Sequence, residues 1–224
     1  MATTEAELLE GRVIDPDELK MPERAVHRRA VDLIALAATR LLGPDVRVFR
    51  DLNWYPPDGG APTAPDVMVL PAGAVETSPR SYRQGADGPP PLVLVEVPSS
   101  TDSYGPFRAK AKRAQELGSV VYIVVVDGPA PVVLRLGVGD DEPVDWVGRA
   151  IPELGGLKVG FVDGALVVET PSGERAGSDV ELLALAADLV DVFAARAEAE
   201  TQRADALAER LRALGVDPDR PAGG

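Results

Sequence analysis

Cysteine is absent from this chain of 224 residues, and histidine occurs once, at His27. Disulfides, thiolate metal sites and cysteine nucleophiles are therefore excluded, as is any metal site with two histidines. A Ser-His-Asp triad would depend on His27 alone. No apolar run reaches membrane-spanning length, and residues 1–20 are acidic without a signal-peptide core. We therefore expect a cytoplasmic protein with no membrane partner.

Positive charge is also scarce, because 23 Lys and Arg stand against 36 Asp and Glu and give a net charge of -13. Such a balance argues against a general nucleic-acid binder, since phosphate contacts dominate that affinity, but it leaves room for a small basic cleft. The 45% hydrophobic content is ample for a core. Richness in Ala, Gly, Pro, Arg, Asp and Val suggests a GC-rich bacterial genome.

Hydrophobic spacing divides the chain into a domain at 1–177, a helix at 178–214 and a tail at 215–224. Within the domain we predict helices at 22–42 and 107–117, a strand near 12–14, further strands at 46–52, 66–70, 92–97, 120–126 and 131–136, and an Asp-Gly hairpin at 161–169. Residues 53–65 and 71–91 are predicted to be loops. No internal repeat is present.

The stretch "PLVLVEVPSSTD" at 91–102 places one acid in an apolar strand. Successive side chains of a strand alternate between its faces, so Glu96 shares a face with Leu92 and Leu94. A strand that is apolar on both faces is typical of a buried position. Burying a carboxylate there costs on the order of several kcal/mol unless it is paired, protonated or bound to a cation. Glu96 is therefore the first candidate for a functional residue.

A second acid, Asp66, opens the predicted strand that precedes the Glu96 strand. Two carboxylates on neighbouring strands can share a hard divalent cation. The next helix carries Lys110, which lies on the same helix face as Ala114 and Leu117 and should turn toward the sheet. Lys112 lies nearly opposite and is predicted to be solvent-exposed. An inward lysine beside two acids is typical of a metal-dependent phosphodiesterase site.

The order "APDVMVLP", "PLVLVEVPSSTD", a lysine-bearing helix and "ELGSVVYIVVVD" resembles the Uma-two family of restriction endonuclease-like proteins, within the PD-(D/E)XK nuclease superfamily. The opening "ELLEGRV" and His27 also match features of that family. The resemblance covers residues 5 to 136 well. The tail "LAERLRALGVDP" resembles tails of the family more loosely.

The resemblance implies an α/β fold with a mixed sheet flanked by helices, and a Mg²⁺-dependent endonuclease acting on DNA. Asp66 and Glu96, with the Val97 carbonyl, would hold Mg²⁺, for which Mn²⁺ can substitute. Lys110 would orient or deprotonate the attacking water. The superfamily's lysine usually stands two residues after the glutamate, where this chain has Pro98.

Two further departures concern the lysine helix. The family often has Asp four residues before the lysine and Tyr four after it, and this chain has Pro106 and Ala114 there. Three further cations of this helix would line the approach of the DNA backbone: Arg108, Lys112 and Arg113.

Each candidate also has a structural interpretation. Asp66 after proline is a frequent turn device, and Glu96 can form a buried ion pair with Lys110 or an arginine. Lys110 can be a solvated surface lysine. If all three residues have these structural roles, the protein is a catalytically inactive binding or assembly module of the same fold.

The remaining acids and the histidine carry weaker predictions. Glu7 and Glu10 are either a further ligand or surface residues. His27 borders the apolar stripe of its helix, and capping the edge of the core is favoured over a role as general base.

The helix at 178–214 changes composition along its length. Its first half is apolar and should pack through Leu182, Leu185, Leu189 and Phe193 against the domain or a partner subunit. Its second half is rich in Ala, Glu and Arg, and should project or pair with another copy. We therefore expect the C-terminal helix to be the contact of any homodimer.

Overall fold

The computed structural model describes residues 21–42, 46–71, 80–98, 104–126 and 131–214. The predicted strand near Arg12 and the acids Glu7 and Glu10 lie outside these residues.

The described residues form helices and short strands in a mixed order along the chain. The helices are α1 (Met21–Leu41), α2 (Tyr104–Glu116) and α3 (Asp179–Ala213), and a 3₁₀ turn spans Pro152–Leu154. The strands are β1 (Val46–Arg50), β2 (Asn53–Tyr55), β3 (Val67–Pro71), β4 (Ser81–Arg83), β5 (Val93–Glu96), β6 (Val120–Val125), β7 (Val132–Leu136), β8 (Val144–Asp145), β9 (Ala150–Ile151), β10 (Leu157–Val162), β11 (Ala165–Glu169) and β12 (Arg175–Ala176). The mixed α/β class that the resemblance implied is confirmed.

The main sheet has six strands in the order β1-β3-β5-β6-β7-β8. Strands β5 and β6 run parallel, and every other neighbouring pair is antiparallel. The parallel pair needs a crossover, which helix α2 supplies between them. Helix α2 ends just before Gly118, whose φ of 99° suits glycine at a helix C-terminus.

One face of this sheet packs on helix α2. Its alternating side chains, among them Met68, Leu94 and Ile123, are buried with Ala111 and Ala114 of the helix. The opposite face is also apolar and buried, as Val67, Val69, Val93 and Val95 show. Helix α1 packs against β1, β3 and the β10–β11 hairpin. The sheet is thus covered by helices, which explains why its strands are apolar on both faces.

The second half of the domain forms a smaller antiparallel sheet in the order β12-β11-β10-β9. Its β10–β11 hairpin turns at Asp163 and Gly164, both at positive φ (50° and 78°), as a tight Asp-Gly turn requires. The predicted hairpin is therefore present.

A polar contact fixes the 3₁₀ turn to the main sheet. The buried Tyr122 hydroxyl lies 2.9 Å from Glu153, and Arg135 contacts both residues. Burial, followed by the charge of Glu153, raises the pKa of Tyr122.

The chain divides into two compact units, Met1–Leu182 and Leu183–Gly224. In the second unit the described part is the continuation of α3 and the turn residue that follows it. Leu183, Val190 and Leu207 of the helix and Leu214 of the turn are each more than half exposed. The side chains of Leu182, Leu185, Leu189 and Phe193 lie outside the described set, so their packing stays a prediction, as does pairing of α3 with a second copy. In the part of the chain that the structure describes, no helix has the length and apolarity needed to cross a membrane.

Candidate active site

The register of β3 and β5 brings the two predicted acids together. Val67 is paired with Val95 in this antiparallel ladder, and one residue further along the same register Asp66 faces Glu96. Directly opposed residues of antiparallel strands project from the same face, so both carboxylates lie on the face that packs on helix α2. The register agrees with the predicted shared face, whereas the sharing of one ion by the two carboxylates stays a prediction.

Both oxygens of the Asp66 carboxylate have a partner. Oδ1 lies 3.2 Å from Nε2 of His27 on helix α1. Oδ2 accepts a hydrogen bond of 2.6 Å from the backbone N–H of Val97. The contact that the structure shows for Val97 is thus made by its amide, and coordination through its carbonyl stays a prediction. Three elements, α1, β3 and the end of β5, meet at this carboxylate.

Glu96 is buried and is paired with the predicted lysine. Its side chain is 4% exposed, and its Oε1 lies 2.7 Å from Nζ of Lys110, whose side chain is 25% exposed. Lys110 also lies 6.0 Å from the centre of the Phe107 ring. A cation at this distance offsets much of the cost of burying the Glu96 carboxylate. The helical spacing correctly predicted which lysine turns to the acids.

The predicted exposure of Lys112 needs correction. Lys112 is only partly exposed, because its ammonium donates a hydrogen bond of 3.1 Å to the Asp140 carbonyl. Arg108 pairs with Glu142, and Arg113 pairs with Asp58. The three cations expected to line a DNA approach are thus engaged with loops on either side of α2. Their spacing on the helix could not reveal this, because the partners are distant in sequence.

A cleft of about 570 Å³ lies between helix α1 and the edge strand β1, next to the site. His27, which contacts Asp66, is part of its wall, together with Arg28 and Asp51. Asp51 has a left-handed backbone (φ 52°), and its N–H lies 3.4 Å from the Asp66 carbonyl. By the register of β1 and β3 it is the residue that faces Asp66 from the other side. The cleft thus borders two residues, His27 and Asp51, that contact or face Asp66.

Sequence reasoning underestimated two residues of this site. His27 was favoured as an edge cap of the core, whereas it contacts a site acid. Asp51 was not considered, although it directly follows a strand that pairs with the Asp66 strand. A prediction that β1 pairs with β3 would have identified Asp51, since this pairing places Asp51 beside Asp66.

The two acids supply the kind of ligand that a magnesium ion takes from a protein. Mg²⁺ is usually held by one or two carboxylates and otherwise by waters and substrate phosphates. Asp66 and Glu96, opposed on one face, match that set. Among the described residues no group of three His, Asp or Glu side chains is arranged to enclose a metal ion. Coordination of a cation by Asp66 and Glu96 stays a prediction.

The chain belongs to the Uma2 (Uma-two) family, described as "Putative restriction endonuclease", whose model matches residues 2–145. A search of curated proteins found no match. Among solved structures, one titled as a putative nuclease from Anabaena variabilis ATCC 29413 is similar over 56% of this chain and 70% of that chain, with 15% identity and a TM-score of 0.44.

Proposed function

We propose that this protein is a metal-dependent endonuclease that hydrolyses phosphodiester bonds of DNA at the Asp66–Glu96–Lys110 site. The observation that carries the proposal is the contact of Lys110 with Glu96, the residue that the strand register sets opposite Asp66, in a chain of a nuclease family. The family description supports a nucleic-acid substrate, and DNA is the substrate class that we propose. Cytoplasmic location and a bacterial source are expectations consistent with this role.

Asp66 and Glu96 would hold Mg²⁺ or Mn²⁺, which when bound lowers the pKa of a water and offsets charge on the phosphate. His27 and the Val97 N–H fix the orientation of the Asp66 carboxylate. Such contacts from outside the ligand set hold a ligand in the geometry that binding needs.

In this proposal Lys110 acts on the nucleophile. Its ammonium is held beside Glu96 and retains a quarter of its exposure, so it can reach a water at the mouth of the site. It would orient or deprotonate that water and offset the negative charge that develops in the transition state. The exposed Arg28 at the cleft gives a cation for the DNA backbone on the His27 side.

Asp66→Asn tests this function. With Mg²⁺ the wild-type protein is expected to cut plasmid or linear DNA, and EDTA should stop it. Asp66→Asn keeps the size of the side chain but removes the charge of a metal ligand. The cleavage rate should therefore fall by about a hundredfold or more, as is typical when a catalytic group is lost. The readout is the rate of product formation on a gel.

Asp163→Asn is the matched control for this substitution. Asp163 lies in the β10–β11 turn, where asparagine also tolerates a positive φ. It should cut DNA at the wild-type rate. Cleavage by Asp66→Asn at the wild-type rate would contradict the assignment of the site.

A second function is favoured by one observation. Glu96 and Lys110 form a direct pair at 2.7 Å, and Pro98 stands where the superfamily usually has its lysine. A pair of this kind can serve structure alone, which would make the protein a catalytically inactive binding or assembly module of the same fold.

Metal-dependent stability separates the two functions. A ligand that binds only the folded state raises its stability by RT ln(1 + [L]/Kd). With Mn²⁺ at ten times its Kd, we expect the melting temperature of the wild type to rise by roughly 3–6 °C for a chain of this size. Asp66→Ala should show no rise. An equal rise in both proteins, or none in either, would favour the inactive module.

A further inference from the structure

Helix α2 is joined to the loop before Asp66 by a bidentate ion pair. The Arg113 guanidinium donates from Nε to Asp58 Oδ2 at 2.9 Å and from Nη2 to Oδ1 at 2.6 Å. A third nitrogen of Arg113 donates to the Ala61 carbonyl at 3.3 Å. Two parallel hydrogen bonds fix direction as well as distance, which a single point contact does not. We call this contact the Asp58–Arg113 fork.

Gly60, which lies near Asp58 in the sequence, supports the fork. The N–H of Gly60 donates to Asp58 Oδ1 at 3.0 Å and so orients the carboxylate. A Cβ at Gly60 would lie 1.7 Å from Nη2 of Arg113, so any larger residue there requires the guanidinium to move. The hydrogen bonds from Arg113, followed by that from Gly60, lower the pKa of Asp58 from 3.8 to about 2. A carboxyl group whose pKa is lowered in the folded state stabilises the fold at pH values above its ordinary pKa. The fork is therefore complete above about pH 4 and is lost only as the pH falls toward 2.

The loop that carries Asp58 leads directly to Asp66. Its base is closed by two backbone hydrogen bonds between Trp54 and Thr63, at 2.7 and 3.0 Å. Trp54 is 2% exposed, so this base is anchored in the core. Only Ala64 and the buried Pro65 separate Thr63 from Asp66, and proline fixes its own φ. The loop is therefore a stiff link between the fork and one site acid.

On the helix the fork lies next to the lysine. Arg113 follows Lys110 by three residues, which places both side chains on neighbouring positions of one helix face. The fork thus joins the connection that bears Asp66 to the helix turn that bears Lys110. We propose that Asp58 and Arg113 are positioning residues, which fix helix α2 so that the Lys110 ammonium stays against Glu96. The catalytic consequence rests on the proposed nuclease function, whereas the position of Lys110 does not.

The same helix offers a matched control pair. Arg108 pairs with Glu142, which lies in the loop after β7 and leads to no site acid. This pair is more exposed than the fork, with side chains 48% and 69% exposed against 31% and 42%. Neutralising Glu142 removes a carboxylate that pairs with the same helix without disturbing the link to Asp66.

The experiment uses the full chain with ¹³C at the ε-carbon of lysine. The chain has four lysines, at 20, 110, 112 and 158, so their NMR signals can be assigned with one Lys→Arg variant each. Asp58→Asn should move the Lys110 signal at least halfway toward that of an exposed lysine. Gly60→Ala should do the same, because its methyl displaces Arg113 while every charge is kept. Glu142→Gln should leave the Lys110 signal in place.

Kinetics give the second readout. Since a displacement of about 1 Å can cost a hundredfold in rate, partial release of α2 should lower kcat for DNA cleavage roughly tenfold in Asp58→Asn, with KM unchanged. Glu142→Gln should stay within about twofold of wild type. A Lys110 signal unchanged in both Asp58→Asn and Gly60→Ala would overturn the inference, as would an equal shift in Glu142→Gln. If the wild type cuts no DNA, the proposed function fails while the NMR signal still decides the positioning role.

Discussion

Lys110→Ala is expected to abolish DNA cleavage with Mg²⁺, whereas Lys112→Ala should cut at close to the wild-type rate. Lys110 lies 2.7 Å from the buried Glu96, while Lys112 faces the Asp140 carbonyl on the other side of the helix. Loss of a group that positions or deprotonates the nucleophile typically lowers the reaction rate by about a hundredfold to ten-thousandfold. The measurement is the single-turnover rate at saturating protein, so that weaker DNA binding does not enter it.

Salt dependence separates the two lysines further. If Lys112 contributes to DNA affinity, its loss should appear in binding at higher salt and leave the cleavage rate of the bound complex intact. Equal losses of rate in both variants would show that the helix does not present Lys110 alone to the reaction. Loss with Lys112→Ala only would assign the catalytic role to Lys112.

The stability of the buried pair gives the second large effect. Lys110→Ala leaves the Glu96 carboxylate, 4% exposed, without this partner. Removing one member of a buried pair costs about 3–5 kcal/mol, and the partial exposure of Lys110 favours the lower end. A loss of about 3 kcal/mol lowers the melting temperature of a chain of this length by roughly 6–12 °C.

The double variant Lys110→Ala/Glu96→Gln separates stability from chemistry. A neutral amide has no charge to desolvate, so we expect this variant to recover most of the melting temperature. It should still cut no DNA. A double variant as unstable as Lys110→Ala would show that the lysine stabilises the fold through its packing and not through its charge.

Much of the main sheet follows from the sequence because its strands are continuous apolar runs. Helices α1 and α2 and strands β1, β3, β5, β6 and β7 lie within a few residues of their predicted positions. The sequence predicts loops where strands β2 and β4 lie, since three-residue strands in segments rich in Pro and Gly carry no periodic signal. They pair with each other across about 28 residues, and such a pairing is specified only by the folded chain.

The site could be predicted to the extent that it depends on local spacing. The alternation along β5 singles out Glu96, and the helical turn singles out Lys110. The contact of His27 with Asp66 depends instead on how helix α1 crosses the end of the sheet. The Asp58–Arg113 fork joins residues 55 positions apart, and its loop composition alone suggests only a turn. Most of the site contacts that the sequence does not predict are therefore charge pairs between residues that are distant in the chain.

The register of β3 and β5 has a consequence for how this chain can change over generations. Side chains in a strand alternate between faces, so one residue inserted or deleted within Val67–Pro71 would turn either Asp66 or the buried strand to the wrong face. Substitutions between apolar residues in the same strands keep both acids in place. Lineages descended from this sequence should therefore exchange Val, Ile and Leu freely in β3 and β5, while changes of length accumulate in loops that bear no site residue, such as the one after β7.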